Sequence, residues 1–177
     1  MQIRPSPFPA ADREKLGYRE HSGSISVARS TGELPIMDWD AIIARERSHT
    51  KMLLHLNMIS IEYGLHCFAI DGRLPQHTDC VGPCQVTSGM ILHCGADLEL
   101  NSGGKRIAVG IGDQFILNPH VRHGAETTGR LIFAALDEDR HKTPSAAKSR
   151  ALFLKKLERM ARDHPITKTV NKDEQGS

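Results

Sequence analysis

The chain has 177 residues, a length that suits one domain with short appendages. Hydrophobic residues make up 39% of it, which supplies a sizeable core, yet no apolar run approaches the ~20 residues that a membrane span requires. The N-terminus has no apolar segment typical of a secretory signal. We therefore expect a soluble, cytoplasmic protein with no membrane partner, whose four cysteines are reduced thiols.

The N-terminal part of the chain predicts little regular structure before residue 36. Residues 1–35 are punctuated by Pro and Gly and predict a loosely ordered segment with one short strand at residues 24–28. Asp38 is a favourable N-cap for a short helix that extends to about Ser48. Its apolar stripe, expected to pack on the outside of a sheet, consists of Trp39, Ile42 and Ile43.

The middle of the chain has the pattern of short strands. Seven apolar-rich segments are separated by turn residues, and the Gly-rich residues 101–104 predict a hairpin between two of them. No helical segment separates the strands, so the pattern favours an antiparallel sandwich or barrel over residues 36–139. The predicted strands are residues 53–62, 65–70, 86–93, 96–100, 106–109, 114–117 and 131–136.

The net charge of +2 conceals a basic C-terminal region, because residues 140–177 hold ten Lys and Arg against four Asp and Glu. This region predicts a polar linker, an amphipathic helix from Ser149 to His164, and a disordered polar tail after Pro165. The apolar face of the helix is expected to dock on the barrel. Its basic face is either solvated or contacts nucleic acid or a protein, and the sequence leaves both open; it comprises Lys155, Lys156, Arg159 and Arg162.

Two short segments carry the chemistry. His77 and Asp79 come at the end of a predicted strand, where residues two apart share a face, and His123 follows a later strand and a Pro turn. Two imidazoles and one carboxylate form the facial triad that leaves three positions open on non-haem iron(II). We therefore predict that His77, Asp79 and His123 are both the metal ligands and the catalytic centre, with His120 as a weaker substitute for His123.

Residues 59–136 resemble the 2-oxoglutarate- and iron(II)-dependent oxygenase superfamily within the cupin-like proteins. The resemblance implies a double-stranded β-helix, or jelly roll, with a supporting N-terminal helix and a C-terminal basic helix. It also implies Fe(II) and 2-oxoglutarate as cofactors, hydroxylation of an unidentified substrate, and release of succinate. In that family an Arg shortly after the distal His binds the far carboxylate of 2-oxoglutarate, and Arg130 matches it. The Ser or Thr often found two residues beyond that Arg is replaced here by Ile132.

Three other hypotheses stay open. The segment around His123 also fits the second motif of a cupin-type metal enzyme that does not use 2-oxoglutarate, although cupins usually have Glu where Asp79 stands. A jelly roll could instead serve as a non-catalytic ligand-binding or regulatory module. Finally, His77, Cys80 and Cys84 have a spacing that could hold zinc.

Overall fold

A computed structural model describes residues 8–46 and 53–166. Its helices are α1 (Ala10–Lys15), α2 (Trp39–Ala44), α3 (Asn57–Tyr63) and α4 (Ala146–Asp163). Its strands are β1 (Glu20–Ser22), β2 (Ile25–Ala28), β3 (Leu54–His55), β4 (Cys67–His77), β5 (Gln85–His93), β6 (Glu99–Ser102), β7 (Lys105–Ala108), β8 (Gln114–Leu117) and β9 (His123–Asp139). The protein is thus mainly β, as the strand pattern predicts.

All nine strands belong to one antiparallel sheet that curls into a nearly closed, jelly-roll-like barrel. Its main path runs β1-β2-β8-β5-β9-β4-β3, and β6 pairs with both β7 and β9. The 17-residue β9 is the central strand, since it pairs with β4, β5 and β6. Successive side chains of a strand point to opposite faces, so β9 supplies residues to both sides of the sheet.

The two faces of β9 bury different apolar clusters. Ile132 and Ala134 pack on the outer side with Leu157 and Met160 of α4, and all four are at most 1% exposed. Leu131, together with the partly buried Phe133 and Ala135, belongs to the cluster inside the barrel. Helix α4 therefore closes a hydrophobic core and is an integral part of the fold.

Several predicted elements differ from the structure. Residues 57–63 are helical and not part of a strand, because Ile59 and Tyr63 bury one helical face and Gly64, at φ +64°, caps the helix in the left-handed conformation. The sheet also begins before residue 36, since β2 pairs with β8 and buries Ile25 and Val27. The short strand predicted at residues 24–28 is thus confirmed as β2, whereas α1 and β1 give regular structure to part of the segment 1–35 that is predicted to be loosely ordered.

The structure contains both helices that the sequence predicts. Asp38 caps α2 by accepting a hydrogen bond from the Ala41 N–H at 3.1 Å, as predicted, and the helix ends at Ala44. The predicted end at Ser48 lies outside the described residues. Helix α4 begins at Ala146, and its N-cap is Ser145, four residues before Ser149, where the sequence predicts a cap at Ser149 or a neighbour. Within the described residues, no helix combines the length and apolar character that crossing a lipid bilayer requires.

A β-bulge near the end of β4 sets the direction of His77. Leu74 pairs with Ala125 and His77 pairs with His123. Between these two pairs, β4 advances by three residues and β9 by only two, so β4 contains one extra residue. The extra residue changes the alternation, and Leu74 and His77 both face the barrel interior although they are three apart. Pro75, which has no N–H to donate, lies in this bulge.

Gly124 allows the bulge to pack closely on β9. A Cβ at this position would lie 2.6 Å from the Leu74 carbonyl oxygen and 3.2 Å from the Gln76 nitrogen. Both are backbone atoms, which cannot move aside without displacing the strand. The absence of a side chain at Gly124 is therefore a condition for the position of His77.

We predict that Gly124→Ala lowers the free energy of unfolding by about 1–3 kcal/mol, as overpacking does, and also weakens metal binding by displacing His77. Urea unfolding and metal titration measure the two effects. Gly110→Ala is the matched control, because a Cβ there would meet Asp113 Oδ2 at 4.0 Å, an ordinary contact. Equal stability of the two variants would contradict this account of the bulge.

Candidate metal centre

The structure brings His77, Asp79 and His123 together at one end of the barrel. Each offers a ligand atom, and these atoms all lie within 4.8 Å of one another. Asp79 lies between the imidazoles, with Oδ1 at 3.3 Å from His77 Nε2 and Oδ2 at 3.4 Å from His123 Nε2. His123 is buried, whereas the other two side chains are partly exposed. The arrangement is therefore accessible from one side.

The hydrogen bonds of the two imidazoles determine which nitrogen is available. His77 Nδ1 lies 2.8 Å from the Pro75 carbonyl oxygen, and His123 Nδ1 lies 2.7 Å from that of Val121. A carbonyl oxygen only accepts, so both Nδ1 atoms carry the proton and donate it. In the neutral imidazoles, both Nε2 lone pairs then face the Asp79 carboxylate, as a metal site requires.

The charges at the site fit a cation. Two lone pairs directed at a carboxylate repel it unless a proton or a metal ion lies between them. When His123 carries a proton on both ring nitrogens, its hydrogen bond lowers the pKa of Asp79 and outweighs the effect of partial burial. Burial by itself would lower the pKa of His123, but its hydrogen bonds to Asp79 and Val121 raise it. The donor set of two nitrogens and one carboxylate fits a divalent first-row metal with open positions.

The loop that carries Asp79 is tied to the segment that precedes His123. The Asp79 N–H donates to the Pro119 carbonyl oxygen at 2.8 Å, and His120 Nε2 lies 3.0 Å from the Gly82 carbonyl oxygen. The second contact engages the His120 imidazole outside the His77–Asp79–His123 cluster. His120 is thus a support for the loop, and the structure brings His123, not His120, to Asp79.

The zinc hypothesis does not match the geometry. Cys80 and Cys84 are exposed free thiols. Within residues 8–46 and 53–166, the His77–Asp79–His123 group is the one cluster of His, Cys, Asp or Glu that could hold a metal, and neither cysteine joins it.

Arg130 is not where the resemblance implies. Its Nε donates to Asp71 Oδ1 at 3.1 Å and its Nη1 to Asp40 Oδ1 at 2.8 Å. It shares the face of Ile132 and Ala134, as expected, but this face packs beneath the helices and not against the cavity. Arg130 does not line the cavity beside the triad. The prediction that its side chain enters the barrel is therefore corrected.

The triad opens onto a cavity of about 280 Å³ inside the barrel. Its walls are mainly leucine and phenylalanine side chains, and its charged side chains are those of Asp79 and Asp137, with the imidazoles of the triad. Among the described residues, none that lines it is Lys or Arg. Residues 47–52, which precede the lining residue Leu53 in the chain, lie outside the description.

Sequence reasoning missed two polar residues beside the triad. Thr87 of β5 and Asp137 of β9 are register partners, and the Thr87 hydroxyl donates to Asp137 Oδ1 at 2.5 Å. The Thr87 oxygen also lies 3.4 Å from Asp79 Oδ2. Strand alternation places Asp137 on the face of Phe133 and Ala135, a signal that could have identified it.

Comparisons with known proteins leave the family open. No protein-family model and no curated protein sequence matches the chain. Among solved structures, the chain is similar to a Burkholderia pseudomallei protein described as "Oxidoreductase, 2OG-Fe(II) oxygenase family". The identity is 13%, the TM-score is 0.35, and the match covers 77% of this chain and 80% of that chain. Similarity at this level carries no functional argument, so function is inferred from the site itself.

We predict that His77→Ala, Asp79→Ala and His123→Ala each abolish tight binding of iron(II) or manganese(II), because each removes one of three ligands. The loss should exceed the roughly 10–100-fold effect of removing an outer hydrogen-bond partner. Calorimetric titration under anaerobic conditions measures it, and circular dichroism checks the fold.

The matched controls are His120→Ala, which removes a neighbouring imidazole outside the cluster, and the Cys80→Ser/Cys84→Ser double variant. The cysteine variant should bind metal like the unmodified protein, and His120→Ala, which loosens the loop that carries Asp79 but removes no ligand, should weaken binding by no more than the roughly 10–100-fold effect of losing an outer hydrogen-bond partner. Loss of metal from the cysteine variant, with retention by the triad variants, would instead establish a zinc site at the thiols.

Proposed function

We propose that this protein is an iron(II)-dependent oxygenase whose metal is held by His77 Nε2, Asp79 and His123 Nε2. The observation that carries the proposal is the pair of Nδ1–H bonds to Pro75 and Val121, which turns both Nε2 lone pairs toward one carboxylate. Three protein ligands leave positions for a substrate or dioxygen, whereas a structural metal site is normally closed by four. Iron(II) bound there supplies the binding and reduction of dioxygen.

The residues of the chain divide the remaining tasks. The Pro75 and Val121 carbonyl groups orient the imidazoles, and the hydrogen bond from Asp79 N–H to Pro119 holds the carboxylate-bearing loop in place. The apolar walls of the cavity bind the organic substrate and exclude water from the reaction.

The co-substrate is a separate part of the proposal. 2-Oxoglutarate would place its far carboxylate in a cavity whose described lining offers two further carboxylates and neither Lys nor Arg. A buried carboxylate without a cationic partner is strongly unfavourable. Arg130 is engaged by Asp40 and Asp71 outside the cavity. These contacts favour the cupin-type form of the reaction, in which dioxygen and the organic substrate react without 2-oxoglutarate.

The oxygenase proposal predicts that nitric oxide, a stand-in for dioxygen, binds the iron(II)-loaded protein and gives the EPR signal of a high-spin iron–nitrosyl complex. Asp79→Ala should lose this signal with the metal, whereas His120→Ala should keep it. A metal-loaded protein that binds no nitric oxide has a closed site, and this result would support a structural or regulatory metal instead.

For the co-substrate, we predict that millimolar 2-oxoglutarate produces neither a charge-transfer band with anaerobic iron(II) protein nor succinate in air. Arg130→Ala should keep iron binding and lose at most about 1 kcal/mol of stability, since its ion pairs are largely exposed. Tight 2-oxoglutarate binding that Arg130→Ala weakens at least ~100-fold would restore the original prediction. Tight binding that is insensitive to Arg130 would place the anchor at another cation, and Arg47→Ala and Lys51→Ala would test the two cations of the undescribed residues 47–52.

A further inference from the structure

Asp137 is a carboxylate at the cavity that the proposed metal site does not use. It is exposed, it lines the cavity together with His77 and His123, and it is not a member of the metal-binding cluster. It follows Leu131, Phe133 and Ala135 on the inward face of β9. Its charge therefore lies at the rim of an apolar space, where it meets whatever enters.

Thr87 holds Asp137 in this position. The Thr87 side chain is 8% exposed, and its hydroxyl has one proton, which it donates to Asp137 Oδ1 at 2.5 Å. The longer 3.4 Å contact with Asp79 Oδ2 is correspondingly weak. In the described part of the chain no other group donates a hydrogen bond to Asp137, so its second oxygen can accept one from a ligand.

Three aromatic rings form part of the cavity wall. Phe68 and Phe133 are stacked with ring centroids 5.5 Å apart, and Phe115 meets Phe133 edge-on at 6.5 Å. All three rings line the cavity. Gly89 lets the Phe115 ring lie against the backbone of β5, since a Cβ there would be 2.5 Å from its Cζ. Such walls favour a flat or ring-shaped apolar group.

The size and charge of the cavity restrict the ligand further. A volume of about 280 Å³ lies just below the ~300–1,000 Å³ range of ligand pockets, so the ligand is compact. A bound divalent metal would exceed the charge of Asp79 by one unit, and Asp137, which lies outside the metal cluster, supplies the other negative charge of the lining. An anionic head group near Asp137 is therefore unfavourable, whereas an ammonium or hydroxyl group is favoured.

We infer that the cavity binds a compact ring compound that carries a hydrogen-bond donor, above all an amine, and that Asp137 accepts the bond from this donor. This inference rests on the proposed function, because the ligand would be the substrate of the oxygenase site and would occupy the cavity beside the triad. Asp137 would act as a specificity-determining residue, because it contacts the ligand at the rim and not the metal.

Three probes of similar shape test the charge preference: benzylamine, benzyl alcohol and benzoate. Binding to the protein loaded with redox-inactive zinc is followed by NMR titration, so that no turnover is needed. We expect affinity to fall in the order amine, alcohol, benzoate. Asp137→Asn, which keeps the shape and the Thr87 contact, should weaken benzylamine binding about 5-fold, the effect of one partly exposed ionic contact. Butylamine, which lacks the ring, should bind more weakly than benzylamine.

Asp139→Asn is the matched control, because Asp139 is an exposed carboxylate two residues further along β9 that does not line the cavity. Its benzylamine affinity should stay unchanged. Ala135→Leu, which fills the cavity, should weaken all ring probes and so locate them there. Equal benzylamine affinity of Asp137→Asn and Asp139→Asn, or tightest binding of benzoate to the metal-free protein, where no probe can coordinate zinc, would overturn the inference.

The same titrations on metal-free protein separate this inference from the proposed function. If zinc and iron fail to bind but the amine preference and its dependence on Asp137 persist, the oxygenase proposal fails and the ligand class stands. If metal binds and the probes do not, the substrate inference fails alone.

Discussion

The pairing of β4 with β9 at His77 and His123 is the constraint on which the site depends. It places two imidazoles opposite each other, with ring centroids 4.5 Å apart, at the end of the longest strand pair. Each Nδ1–H then bonds a carbonyl oxygen two residues earlier in its own chain segment, at Pro75 and Val121. Because each imidazole makes this local bond, both Nε2 atoms face Asp79. A cation bound between the Nε2 atoms and the Asp79 carboxylate would relieve the repulsion between the nitrogen lone pairs and that carboxylate.

Strand β9 also separates structural from ligand-binding roles by simple alternation. Its outer face carries Arg130, whose ion pairs with Asp40 and Asp71 join α2 to the sheet, followed by Ile132 and Ala134 under the helices. Its inner face carries Asp137 at the cavity. Strand β9 thus directs the cation Arg130 away from the cavity and the anion Asp137 toward it, which favours neutral or cationic ligands over dicarboxylates.

Some charged side chains of the basic helix α4 are engaged within the protein. Lys156 donates a hydrogen bond to the Gly64 carbonyl oxygen, and the Arg159 guanidinium lies over the Tyr63 ring. A contact of this helix with nucleic acid or a protein stays a prediction.

The sequence predicts the features that depend on local chemistry and misses those that depend on tertiary context. The Asp38 cap, strand β8 and the grouping of His77, Asp79 and His123 follow from residue types and spacing. Alternation shows that Arg130 and Ile132 share a face, but it does not show which face is the inner one when both are apolar. The bulge at Pro75 changes that alternation, and it is visible only in the register of β4 against β9 and in the close approach to Gly124. The sequence predicts a strand where α3 forms, because short apolar runs are compatible with both structures and only tertiary packing decides between them.

The most direct measurement of the central claim is an anomalous-difference map from crystals grown anaerobically with iron(II). The account predicts one strong iron peak at bonding distance from His77 Nε2, His123 Nε2 and a carboxylate oxygen of Asp79. The Nδ1 atoms should stay hydrogen-bonded to Pro75 and Val121, and the open side of the metal should face the cavity. A peak at the Cys80 and Cys84 thiols, coordination through Nδ1, or no peak between the two imidazoles would contradict it.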